Sequence, residues 1–124
     1  MTIEECYQSL GGDYADVIDR LSNPELVEKF IAKFLEDDSF TRLCTEIGNA
    51  NCEEAFRAAH TLKGICQNLS FSRLLASTEP LVELLRSQGP SVPENVTQLL
   101  ENVKRDYEMT VSAIRMYLNQ CASR

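Results

Sequence analysis

Residues 51–69 read NCEEAFRAAHTLKGICQNL, and the way this stretch divides between two faces decides the fold. Asn51 followed by Glu54 is a capping box, in which each side chain reaches the other's backbone N–H and opens a helix. On a wheel of about 100° per residue, Ala55, Ala58, Ala59, Leu62, Ile65, Cys66 and Leu69 fall between about 140° and 260° from His60. They form one apolar stripe, which needs other helices to bury it. Glu53, Phe56, Arg57, Lys63, Gly64 and Gln67 fall within about 60° of His60, so the imidazole stands at the centre of the face opposite the core.

Working outward, the chain alternates three-to-four-residue apolar periodicity with short clusters of Gly, Asn, Ser and Pro, and no strand alternation appears. Thr2 with Glu5 caps a short first helix that ends before Gly11-Gly12, and Asp13 caps a second through Leu21. Asn23-Pro24 starts a long helix carrying Leu26, Phe30, Phe34, Phe40, Leu43, Cys44 and Ile47 as far as Gly48, with Asp37-Asp38-Ser39 as a point of bending or interruption. Ser70 begins a return helix with Phe71, Leu74, Leu75, Leu81, Val82 and Leu85. Pro80 inside it removes a backbone donor and predicts a kink or brief break between Ala76 and Pro80. After the loop Ser87-Gln88-Gly89-Pro90, Ser91 with Glu94 forms another capping box. Val96, Leu99, Leu100, Val103, Tyr107, Val111, Ile114, Leu118 and Cys121 then draw one stripe to the C-terminus.

Long helices joined by short turns are antiparallel neighbours. The expected fold is therefore all-α, an antiparallel up-down-up-down four-helix bundle over residues 23–121 preceded by a short N-terminal helical extension over residues 1–22. An intermolecular coiled coil is the competing reading of the last stripe, but its spacing is not a sustained heptad with flanking charges.

Composition narrows the function. The 124 residues, 44% hydrophobic and 25% charged, suit one globular domain. Nineteen acidic against twelve basic residues give a net charge of −7, which repels nucleic acid and anionic membranes. Five scattered cysteines, Cys6, Cys44, Cys52, Cys66 and Cys121, form neither a disulfide framework nor a zinc knuckle and suit a reducing, cytoplasmic setting. The start MTIEECYQSLGG lacks an apolar h-region, and no run approaches the ~18 apolar residues of a membrane span. The single histidine, His60, excludes two-imidazole zinc sites and paired histidine catalysts.

The neighbours of His60 suggest what one imidazole does here. A hydrogen-bonded core histidine is disfavoured by the wheel, while a merely solvated one stays open. Lys63 and Gly64 adjoin His60 at i+3 and i+4. Lys63 offers a cation for an anion. A mid-helix glycine costs roughly 0.5–1 kcal/mol against alanine, and clearance for a group on the imidazole, or for a partner, is a reason to keep it. Gln67 offers amide donors, and Arg57 a second cation. Neutral imidazole, with a pKa of about 6.5, takes a phosphoryl group readily. The chain has no Gly-rich phosphate loop and no recognisable metal-binding spacing, so the donor must come from another protein.

Ala59-His60-Thr61-Leu62-Lys63-Gly64, continued to Leu69, resembles the A-H-x-L-K-G-x-x-x-x-L signature of histidine-containing phosphotransfer (HPt) domains, and the order of helices resembles them over about residues 20–120. The resemblance implies a phosphorelay carrier, not an enzyme by itself, working between response-regulator receiver domains and a hybrid histidine kinase. His60 is then the phosphoacceptor, Lys63 the charge near the phosphate and Gly64 the small residue that keeps the imidazole accessible. No cofactor is implied in this chain; the Mg²⁺ belongs to the partner receiver. Some members place a glutamine on the following helix, but Glu79 to Arg86 contains none. Arg86 is the substitute on that helix and Gln67 supplies an amide from the histidine's own. Arg57 and Lys63, with Arg73 or Arg86, are expected to form a positive island for docking, flanked by Phe56, while Phe71 is assigned to the core.

Two further readings stand beside the carrier. One is a helical adaptor that binds or sequesters a receiver without transfer; intact His60, Lys63 and Gly64 argue against it. The other is the phosphoacceptor module of a larger chemotaxis-type kinase, against which Met1 and the absence of a linker after Arg124 weigh modestly. The expected state is a monomer, with weak dimerisation through Cys121 and the last helix left open.

Overall fold

The computed structural model describes residues 1–86 and 92–122. Among them are seven α-helices and no strand: α1 (Ile3–Leu10), α2 (Tyr14–Leu21), α3 (Pro24–Phe34), α4 (Ser39–Gly48), α5 (Cys52–Leu69), α6 (Ser72–Arg86) and α7 (Val96–Ala122). Helices α4, α5, α6 and α7 pack in that order as antiparallel neighbours, and α3 touches both α5 and α7. The capping chemistry explains where the first elements start. Thr2 and Glu5 form the reciprocal box of α1, Asp13 accepts from Asp16 N at the start of α2, and Asn23 caps α3 ahead of Pro24.

The long helix expected from Asn23 to Gly48 is interrupted at the acidic pair: α3 ends at Phe34 and α4 begins at Ser39. Asp37 Oδ2 accepts from Ser39 N at 2.9 Å, which restarts the chain in a new direction. The aromatic packing accounts for the break. Phe34 and Phe40 both meet Tyr107 of α7, at centroid distances of 5.8 Å and 4.2 Å. On a continuous helix they would stand about 120° apart, on different faces.

Pro80 does not break α6, which is helical from Ser72 to Arg86. Ala76, whose carbonyl loses its donor, and Pro80 are both exposed, so water satisfies what the proline leaves unpaired. Ser70 does not start α6 but ends α5, in the left-handed conformation at φ 56°. The loop Ser87 to Pro90 and the cap at Ser91 lie outside the described residues.

The apolar stripe of α7 is spent inside the chain: Val96, Val103, Val111 and Ile114 are buried, against α6 and α1. The first two helices join the same core, because Cys6, Tyr7, Leu10 and Val17 are fully buried. Gly11 and Gly12 make the close approach possible. Gly11 holds φ +77°, and a Cβ on it would lie 2.8 Å from Arg73 Cβ. One on Gly12 would lie 2.7 Å from the Tyr7 ring and 2.9 Å from the Ser70 carbonyl. The chain that passes there bonds to the α5–α6 turn, with Asp13 N donating to Ser70 O and Arg73 N to Gly11 O, both at 2.9 Å.

Candidate functional site

Helix α5 is the element on which the site is built. Asn51 Oδ1 accepts from Glu54 N at 3.2 Å and fixes its start. Ala55, Ala58, Ala59, Leu62, Cys66 and Leu69 are buried, and the three alanines let α4 and α6 approach closely on either side. His60 is exposed on the opposite face.

A shallow hollow of about 460 Å³ opens at the imidazole, lined by Arg42, Phe56, Arg57, His60 and Thr61. The flank toward α6 is a stack. The Phe56 ring meets His60 edge-on at 5.7 Å, the Arg86 guanidinium lies 5.0 Å from the Phe56 centroid, and Glu83 holds Arg86 at 3.4 Å. Arg86 thus reaches the site through Phe56. On the other flank Arg57 is held by Glu53 at 3.1 Å and Glu54 at 3.7 Å, while Thr61 Oγ1 donates to Arg57 O at 3.0 Å.

Lys63 is half-buried and Gln67 exposed, and neither side chain has a hydrogen bond or ion pair among the described residues. Around Gly64, an added Cβ would find no atom within 4 Å. Packing inside the fold therefore does not demand glycine at this position, although a helix interior disfavours it. Arg73 lies away from this face, in a groove between α6 and α7 with Ser77, Asn102, Arg105 and Met109. The positive island expected around His60 is correspondingly altered: Arg73 is absent from it, and Arg57 and Arg86 are paired with carboxylates. Phe71 is buried between Tyr7 and Phe34.

Sequence reasoning missed Arg42. It lies on α4, outside the stretch around His60, and only the packing of α4 on α5 brings it to the hollow. Among the described residues its guanidinium has no hydrogen bond or ion pair. No group of three or more His, Cys, Asp or Glu among the described residues is arranged to hold a metal ion. The thiols are poor competitors for the role of nucleophile. Burial pushes Cys6 up to about 11 and raises Cys44 and Cys66 as well, so these three stay protonated at neutral pH.

An exposed imidazole thus stands at the middle of a bundle helix, beside a lysine without an ion pair and a glycine with open space around it. The family model of the Hpt domain matches residues 25–119, and the chain belongs to that family. Its members carry out histidine phosphotransfer in phosphorelays, interacting with receiver domains and histidine kinases. The 124 residues include no kinase domain. No curated protein and no solved structure gives a significant match. No helix among the described residues is long and apolar enough to cross a membrane.

Proposed function

We propose that the protein relays a phosphoryl group on His60, receiving it from the phosphoaspartate of one receiver domain and passing it to the aspartate of another, with a hybrid histidine kinase upstream. The lone pair of the unprotonated ring nitrogen forms the N–P bond as the Asp O–P bond breaks. The departing carboxylate keeps that electron pair, and the second ring nitrogen keeps its proton. Return to a second aspartate is the reverse. Lys63 screens the phosphoryl charge, Gln67 is within the same face as an amide donor, and Arg86 holds Phe56 against the imidazole. Phe56 and Arg57 line the hollow that meets the partner. The receiver brings the divalent cation and the groups that stabilise the transferring phosphoryl. Free, scattered cysteines support a reducing cytoplasmic setting.

The observation that carries this reading is the empty space over Gly64. A residue that costs helix stability and fills no internal requirement is kept for something outside the fold, and it adjoins the one histidine. Incubation with a phosphorylated receiver is expected to move phosphate onto the protein as an acid-labile, base-stable adduct. His60→Gln is expected to abolish transfer while leaving the helical circular dichroism and the melting transition unchanged, because His60 is exposed. Phosphate retained by the His60→Gln protein would overturn the assignment.

A further inference from the structure

Of the cations around His60, two are already neutralised. Arg57 is shared by Glu53 and Glu54, and Arg86 is paired with Glu83 and stacked on Phe56. Arg42 differs from both. It opens onto the His60 hollow from α4, and it also borders a second hollow of about 250 Å³ lined by Asp38, Glu46 and Glu54. None of those carboxylates forms an ion pair with it within the described residues. Arg42 is thus exposed and lines both the acidic hollow and the hollow of the imidazole, with no ion pair to the carboxylates of the one.

We propose that Arg42 binds the phosphoryl group once it is on His60, as a second cation across the helix from Lys63. The inference rests on His60 being the phosphoacceptor. The wheel puts Lys63 about 60° to one side of His60 and Arg57 and Thr61 about 60° and 100° to the other, the side facing Arg42. A phosphoryl dianion on the imidazole is thus bracketed from two flanks. Before phosphorylation the carboxylates of Asp38, Glu46 and Glu54 draw Arg42 weakly. Afterwards the dianion in the hollow is the stronger attraction, and a guanidinium fork bonds two of its oxygens at once. No bond is made or broken by Arg42; it orders and screens the group.

Phosphoramidate, a small phosphoryl donor, tests this without a partner protein. The wild-type chain is expected to become labelled at His60, and ³¹P NMR then follows the second ionisation of the phosphoryl group. A nearby cation favours the dianion, so that pKa is depressed. Arg42→Gln is expected to raise it by about half a unit, a modest effect because the site is wet. The phosphohistidine should also hydrolyse faster, and Arg42→Lys should restore most of the pKa shift. Arg115→Gln, on the exposed face of α7, removes the same charge elsewhere. Equal pKa values and lifetimes for Arg42→Gln and Arg115→Gln, with His60 labelled in both, would overturn the role of Arg42 and leave His60 standing. Failure of phosphoramidate to label His60 in the wild type would overturn both.

Discussion

At the C-terminal end of α5 the carbonyls of Asn68, Leu69 and Ser70 each accept a hydrogen bond from the N-terminal segment. The donors are Arg20 at 2.8 Å, Tyr7 at 2.9 Å and Asp13 at 2.9 Å. On the outward face of the same helix, the side chains of Lys63 and Gln67 bond to nothing among the described residues and the space over Gly64 is empty. Helix ends leave carbonyls without partners, and burying them unpaired is costly, so the first region is fully used by the fold. The side-chain polar groups of the second are not used by it. Polar groups the fold has no use for are the ones free to meet a phosphoryl group or another protein. The donors of the first region all precede residue 25, where the family match begins. The segment before the Hpt domain thus anchors the helix that carries His60.

The two glycines that mark these regions respond to alanine in opposite ways. At Gly12 a Cβ would lie 2.9 Å from the Ser70 carbonyl, a backbone atom, and 2.8 Å from Leu10 Cδ1. Gly12→Ala is expected to destabilise by about 1–3 kcal/mol, the usual cost of overpacking, read as a lower urea midpoint. At Gly64 nothing is in the way. Gly64→Ala is expected to stabilise by about 0.5–1 kcal/mol through helix propensity, and yet to slow phosphate transfer from a receiver. If Gly64→Ala raised stability and transferred at the wild-type rate, the second region would have no external claim on its glycine.

The difference between the regions also explains what could be read without a structure. The face of α5 was legible because periodicity alone assigns His60, Lys63, Gly64 and Gln67 to one side, and local capping placed the starts of α1, α2, α3 and α5. What depends on two elements meeting was not legible. The break after Phe34 serves Tyr107, far away in the chain, and the acidic residues Asp37-Asp38 mark it only weakly. Arg42 enters the site through the packing of α4 on α5, whereas the pairing of Arg57 with Glu53 and Glu54 and of Arg86 with Glu83 stays within one helix and follows the i,i+3 and i,i+4 spacing that the sequence shows. Pro80 produces no break for a related reason: its penalty is local, but it falls on an exposed turn where water compensates, and the packing of Leu81, Val82 and Leu85 continues the helix through it.

The smallest effect expected lies in the polar knot that joins the two ends of this arrangement. Asp16 Oδ2 accepts from Ser70 Oγ at 2.7 Å and from Arg20 at 2.7 Å, and Arg20 in turn donates to Ser70 Oγ at 3.0 Å. The Ser70 hydrogen bond foremost, and then Arg20, hold the Asp16 carboxyl below its ordinary 3.8. With the folded value depressed, the unfolded chain binds the proton more readily, so stability rises with pH across this window. The contribution is present above the ordinary carboxylate value and is lost as pH falls through the folded one. Asp16→Asn is expected to lower stability slightly at neutral pH and to flatten the acid limb below about pH 4. Thermal melts of both proteins across the acid range check this. An acid limb equally steep in Asp16→Asn would assign it to other carboxylates, of which Glu5, lowered by its hydrogen bonds within the Thr2 capping box, is the next to replace. Phosphate transfer at neutral pH should be unchanged, since the knot fixes the end of α5 and leaves the face of His60 untouched.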